Sequence, residues 1–235
     1  MTATRTLVFV GPTLPAREVP FEVRPPAGVG DVLRATRERV DRIAIIDGYF
    51  ERMAAVWHKE ILVALGKGIA VYGAASMGAL RAAELADFGM IGVGAIYRAF
   101  RAGTLVRDDE VAVAHLPGEV GYRAVSDARV NLRWGLAAAA RAGVITAKTR
   151  DALVHLAQLP FYRERSWARL LADGRAAGLP ARQLAALAAW PKPDRKADDA
   201  RLLLRRLARD RRVKPPTLKV PRTWALRQLE RITRP

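Results

Sequence analysis

The sequence predicts an α/β fold: a small, mainly parallel sheet with flanking helices in the N-terminal half, then an all-helical, basic C-terminal part. Three observations predict it. Short apolar runs alternate with helical segments up to about residue 125. Glycine and proline punctuate these segments at the spacing of strand–helix connections. Beyond about residue 125 the strand signals fade, and only helical periodicity remains.

Leu7–Val10 reads as the first strand, closed by Gly11-Pro12. Residues 24–30 form a loop, and Asp31 can cap a helix running to about Asp41. Ile43–Ile46 is a short buried strand ended by Asp47-Gly48, and Tyr49–Leu65 reads as one helix. Ile69–Tyr72 is the third strand, followed by helices over Met77–Asp87 and Gly94–Arg101. Six further helices are expected near 127–142, 148–158, 164–173, 181–190, 195–210 and 222–232, with an extended arm at 211–222. The expected division is a core over 1–125 and a helical, Arg-rich extension over 126–235 packed on it.

Composition narrows the function classes. The chain of 235 residues contains no cysteine, which excludes disulfides, a thiol nucleophile, Cys-ligated zinc and a persulfide carried by the chain itself. Its three histidines, His58, His115 and His155, are too scattered to suggest a metal site. No run of about 18 apolar residues marks a membrane span. No signal-peptide pattern precedes the first strand, so a cytoplasmic protein is expected. The net charge is +17, and residues 161–235 hold 20 Lys/Arg against 7 Asp/Glu. That surface would attract an anionic partner, or it is a solvated Arg-rich face. Nucleic-acid binding ranks last, because no aromatic-interleaved basic motif or recognition helix supports it. No phosphate-binding loop is present, and Gly89–Gly94 follows a helix, unlike a dinucleotide fingerprint.

The candidate chemistry centres on residues 69–85. An apolar strand passes through small residues into a helix, with Ser76 at the bend. This resembles a nucleophile elbow, although Ala74 stands where G-x-S-x-G has its first glycine. Gly73, Ala74, Ala75 and Gly78 would leave room for a substrate, and the N–H groups of Met77 and Gly78 would face an oxyanion. On spacing alone the favoured reading of Ser76 is an N-cap whose hydroxyl accepts from the first turn. On the expected 49–65 helix, Phe50, Met53, Trp57 and Ile61 form an apolar stripe. Lys59 lies almost opposite Trp57 at about 100° per residue, among further apolar residues. A desolvated lysine can serve as a base for a serine, and a snorkelling one cannot. His58 is a rival base. Asp108 or Asp109 with His115 could complete a triad or hold a metal, or simply cap a short helix, which is the favoured reading. Asp47 ends a strand, a common position for a site residue and for a turn.

Several segments together resemble the TfuA-like family: Val8–Leu14, Ile45–Phe50, Val56–Ile61, Gly73–Leu85 and Arg107–His115. The likeness is dense over about 7–115 and thin beyond about 135. It implies a partner of YcaO-type cyclodehydratases in peptide backbone thioamidation. It implies hydrolysis of a thiocarboxylated, ThiS-like ubiquitin-fold sulfur carrier, and help to YcaO in engaging its peptide. The family's hydrolase-like Ser-Lys pair falls on Ser76 and Lys59. Met77, Gly78, Gly73, Gly11, Thr13, Asp47, His58 and Arg81 complete the candidate oxyanion- and substrate-binding set. No cofactor or metal is implied, and homo-oligomerisation is open. A non-catalytic adaptor between YcaO and its peptide is the alternative.

Overall fold

The computed structural model describes residues 4–51, 53–210 and 218–233. The chain divides into two compact units, one formed by 1–106 with 197–235 and the other by 107–196. This is not the expected division at residue 125. The last stretch of chain, including most of one long helix, returns to the N-terminal unit.

The first unit holds five strands: β1 (Thr6–Phe9), β2 (Glu22–Arg24), β3 (Arg42–Ile45), β4 (Ala70–Ala74) and β5 (Ile91–Val93). They form one sheet in the order β2-β1-β3-β4-β5, and every pairing is parallel. The order reverses between β1 and β3, which in doubly wound sheets opens a crevice at the strands' carboxyl ends. The predicted α/β class is therefore correct. The two strands that the sequence did not reveal, β2 and β5, are three residues long. Glu22-Val-Arg and Ile91-Gly-Val present too little apolar pattern to register.

Side chains alternate across β1 and β3 and so build two cores. Leu7, Phe9, Ile43, Ile45 and Val71 face α1 (Asp31–Ala35), α2 (His58–Gly66) and α3 (Met77–Leu85). Val8, Val10, Ala44, Ile46 and Tyr72 face the opposite way. Between α3 and the long helix, the chain forms α4 (Ala95–Arg101) and four helices of the second unit: α5 (Arg129–Arg141), α6 (Ala147–Leu156), α7 (Trp167–Ala176) and α8 (Ala181–Ala189). The second face of the sheet is then covered by α9 (Arg195–Arg209), through Ala200, Leu203, Leu204 and Leu207. Buried Arg42 on β3 fixes the end of α9, donating to the carbonyls of Leu207 (2.8 Å) and Asp210 (3.2 Å). Asp199 on α9 accepts from the Ile96 N–H at 2.7 Å and so caps α4. The basic extension thus supplies part of the core. The last helix, α10 (Trp224–Ile232), follows a Thr223 cap, and Arg37 donates to its Glu230 carbonyl.

Two predicted helices are shorter than their sequences suggested. The first stops at Ala35 instead of Asp41. The one expected from Tyr49 begins at His58. Tyr49 and Ala54 spend their backbone on the segment after β2 instead: Tyr49 N–H donates to Ala27, and Ala54 accepts from Val29. Glu51 sits at φ +66°, outside helical geometry. The apolar stripe from Phe50 to Ile61 is therefore not one helix face. The expected arm at 211–222 falls largely on residues 211–217, outside the described residues.

The second unit packs α5–α8 around Leu132, Leu136, Leu153, Leu170, Leu184 and Leu187. Thr146 and Ser166 cap α6 and α7 through their hydroxyls. Among the described residues, no helix is long and apolar enough to cross a membrane.

Candidate active site

The three central strands, β1, β3 and β4, deliver Gly11–Thr13, Asp47 and Gly73–Ser76 to the same carboxyl edge of the sheet. Asp47 is almost fully buried, at 1% exposure. Its carboxylate accepts from the N–H groups of Gly11 and Thr13 (3.0 Å each) and from the Thr13 hydroxyl (2.6 Å). These three predicted site residues do meet, at the switch point of the sheet. They meet as a closed knot: a carboxylate already fills the cradle that an anion would occupy.

Ser76 stands at the N-terminus of α3, as the elbow reading required. Its N–H donates to the Ala74 carbonyl at 2.8 Å, closing a three-residue turn with Ala75 at φ +66°. An alanine held there stores about 1–3 kcal/mol of strain, a cost met chiefly at sites that need it. The strained residue is the one before the serine, so this turn differs in detail from a nucleophile elbow. The capping alternative does not hold, because the Ser76 side chain makes no cap hydrogen bond to the first turn of α3.

The glycines play a different part from the one expected. A Cβ on Gly78 would lie 1.7 Å from the Ile45 carbonyl oxygen, and one on Gly73 would lie 2.1 Å from the Gly78 oxygen. Their smallness lets α3 approach β3 and β4, and that space is filled by backbone. The Gly78 N–H is also committed, donating to Ile46 at 3.2 Å. Among the described residues, the Met77 N–H is the first-turn donor left without an acceptor, so the predicted oxyanion pair reduces to Met77.

Lys59 lies in the first turn of α2, the crossover from β3 to β4. Its helix therefore begins at the same sheet edge as Ser76. Its neighbours are both engaged. His58 Nε2 donates to Glu84 Oε2 at 2.8 Å, the carboxylate being able only to accept. Glu84 is also held by Arg81 (2.6 Å), whose Nε donates to the Val56 carbonyl at 2.9 Å. Glu60 is fully buried and accepts from Trp57 N–H (3.1 Å), Leu33 N–H (3.2 Å) and Gly30 N–H. One carboxylate thereby caps α2 and α1 together, and burial pushes its pKa up despite these donors. Lys59, between them, is half-buried and has no bonded partner among the described residues.

The acidic run of the second unit is structural. Asp109 pairs with Arg107, Arg129 and Arg165, and Glu110 pairs with Arg133 and Arg129. Arg129 and Arg165 are buried. Burial alone would raise the Asp109 pKa, but the Arg165 hydrogen bond and the Arg129 charge outweigh it and hold it low. His115 Nδ1 lies 2.9 Å from the Leu116 carbonyl, and its ring packs edge-on to Tyr122. Among the described residues, no group of three His, Cys, Asp or Glu could hold a metal ion. Sequence reasoning missed the roles of Glu84 and Glu60. The i,i+3 spacing of Arg81 and Glu84 was the available signal for the first. For the second it was a glutamate at N3 without a serine or threonine cap.

No curated protein matches the chain. The family model described as TfuA-like protein matches residues 47–166, from the buried Asp47 through Lys59 and Ser76 to Arg165 and Ser166. That span is just over half of the sequence, and the chain belongs to the TfuA-like family.

Proposed function

We propose that the protein is a cytoplasmic accessory factor of YcaO-dependent peptide backbone thioamidation. It hydrolyses a thiocarboxylated, ThiS-like sulfur carrier to release sulfide, and it helps YcaO engage its peptide. The observation that carries this reading is the pairing of family membership with the site at the sheet edge. There a serine follows a strained turn, and a lysine with no bonded partner among the described residues stands in the first turn of the preceding helix at the same edge.

In the proposed step, Lys59 acts as general base and takes the Ser76 proton as Oγ attacks the thiocarboxylate carbon. The Met77 N–H faces the developing oxyanion. The C–S bond breaks, Lys59 returns the proton, and hydrosulfide leaves. Water then attacks the acyl-serine, the ester C–O bond breaks, Ser76 Oγ takes a proton back through Lys59, and a carboxylate and one proton are released. No cofactor enters these steps. The released sulfide would attack the amide that YcaO activates with ATP.

The test is reconstituted thioamidation with YcaO, ATP, peptide and thiocarboxylated carrier. Ser76→Ala is expected to abolish the product, and added sulfide is expected to restore it. A purely tethering adaptor would support full thioamidation with Ser76→Ala and no added sulfide, which would overturn the hydrolytic reading.

A further inference from the structure

We infer that Arg81, Glu84 and His58 are positioning residues that set the proposed base on α2 against the proposed nucleophile on α3. This rests on the Ser-Lys reading above. The two groups stand on different helices, one inside the crossover from β3 to β4 and one directly after β4. A tie between the helices must therefore fix their separation. Arg81, one turn into α3, bonds Val56, three residues before Lys59. Glu84, a turn further on, receives the same guanidinium and also His58, the residue directly before Lys59. The segment is thus pinned to α3 on both sides of Trp57.

Magnitudes separate positioning from simple support. The His58 and Glu84 side chains are 46% and 36% exposed. Pairs so exposed contribute about 0–1 kcal/mol to stability. Their removal leaves the fold in place, because Glu60 still caps α2 and α3 still packs through Gly73 and Gly78. What is lost is the registration of Lys59 relative to Ser76, and a displacement of about 1 Å at a reacting pair costs about 100-fold in rate.

The experiment measures sulfide release from a thiocarboxylated carrier protein by the full chain and by Glu84→Ala, Arg81→Ala and Ser76→Ala. Backbone hydrogen exchange is followed over residues 56–62 and over β4. For Glu84→Ala and Arg81→Ala the expected result is a 10- to 100-fold fall in kcat. KM should change little, and exchange should be faster over 56–62 only. Glu84→Gln, which keeps one acceptor, should recover part of kcat. Unchanged kcat in Glu84→Ala, with Ser76→Ala inactive, overturns the positioning role and leaves the Ser-Lys reading standing. A fall in kcat with unchanged exchange over 56–62 overturns it too. Sulfide release undiminished in Ser76→Ala overturns the Ser-Lys reading itself, and the positioning role with it.

Discussion

Glu60 offers the sharpest test of how the site is held. Its carboxylate is fully buried and takes donors from the first turns of two helices. Glu60→Ala would strand the buried N–H groups of Gly30 and Leu33, each at about 1–3 kcal/mol, or about 2–6 kcal/mol together. Against a domain stability of about 5–15 kcal/mol, that is severe but survivable. Glu60→Gln keeps one acceptor oxygen and should cost about 1–3 kcal/mol. It also removes a titration whose sign follows from burial. Burial raises the folded pKa of Glu60 above its ordinary value of 4.5, so the folded state holds that proton more tightly than the unfolded chain. The resulting stabilisation is complete below about pH 4.5 and is lost as pH rises through the folded pKa, at no more than about 1.4 kcal/mol per pH unit. Urea unfolding of wild type and Glu60→Gln at pH 4.5, 6 and 8 reads both effects. Their stability difference should shrink as pH rises. Parallel profiles, or equal stabilities throughout, would refute a buried, ionisable double cap.

Three other outcomes follow from the geometry. Gly78→Ala should destabilise the sheet unit by about 3 kcal/mol or more, since its Cβ would meet the backbone oxygen of Ile45, and thermal melting checks this. Asp109→Asn should destabilise the second unit by about 3–5 kcal/mol, because buried Arg129 and Arg165 lose their shared carboxylate. In the wild type the Asp109 contribution, from a depressed pKa, is present above about pH 3.8 and lost as pH falls through the folded value. Acid titration of the second-unit amides by exchange reads it. Leu203→Ala on α9 should cost about 2–5 kcal/mol and expose the face of β1 and β3 that carries Val8 and Ala44. A negligible change in chemical denaturation would show that α9 is not part of the core.

The strand–turn–helix junction at Ser76 was legible because its signals are local: an apolar run, small residues and a helical period. Asp47-Gly48 was legible as a strand end for the same reason. What escaped depends on partners distant in sequence. The chain after Gly48 has a helical composition, yet its backbone pairs with residues 27–29, which no local pattern announces. Gly73 and Gly78 read as room for a substrate, because a missing side chain does not say what fills the space. Here the filler is the backbone of two neighbouring elements. The Arg-rich α9 read as surface from its charge. Its leucines, spaced at 203, 204 and 207, close a sheet whose first strand lies nearly two hundred residues earlier.

Ser76 and Lys59 are the two residues proposed to carry out the chemistry. The direct measurement is the rate of sulfide release from a thiocarboxylated sulfur carrier by purified, folded Ser76→Ala and Lys59→Ala. Because the Ser76 hydroxyl does not cap α3, Ser76→Ala escapes the cap penalty of about 0.5–2 kcal/mol and should fold. Both variants are expected to keep the wild-type fold and to release no sulfide above the uncatalysed rate. Wild-type release by either folded variant would contradict the proposal.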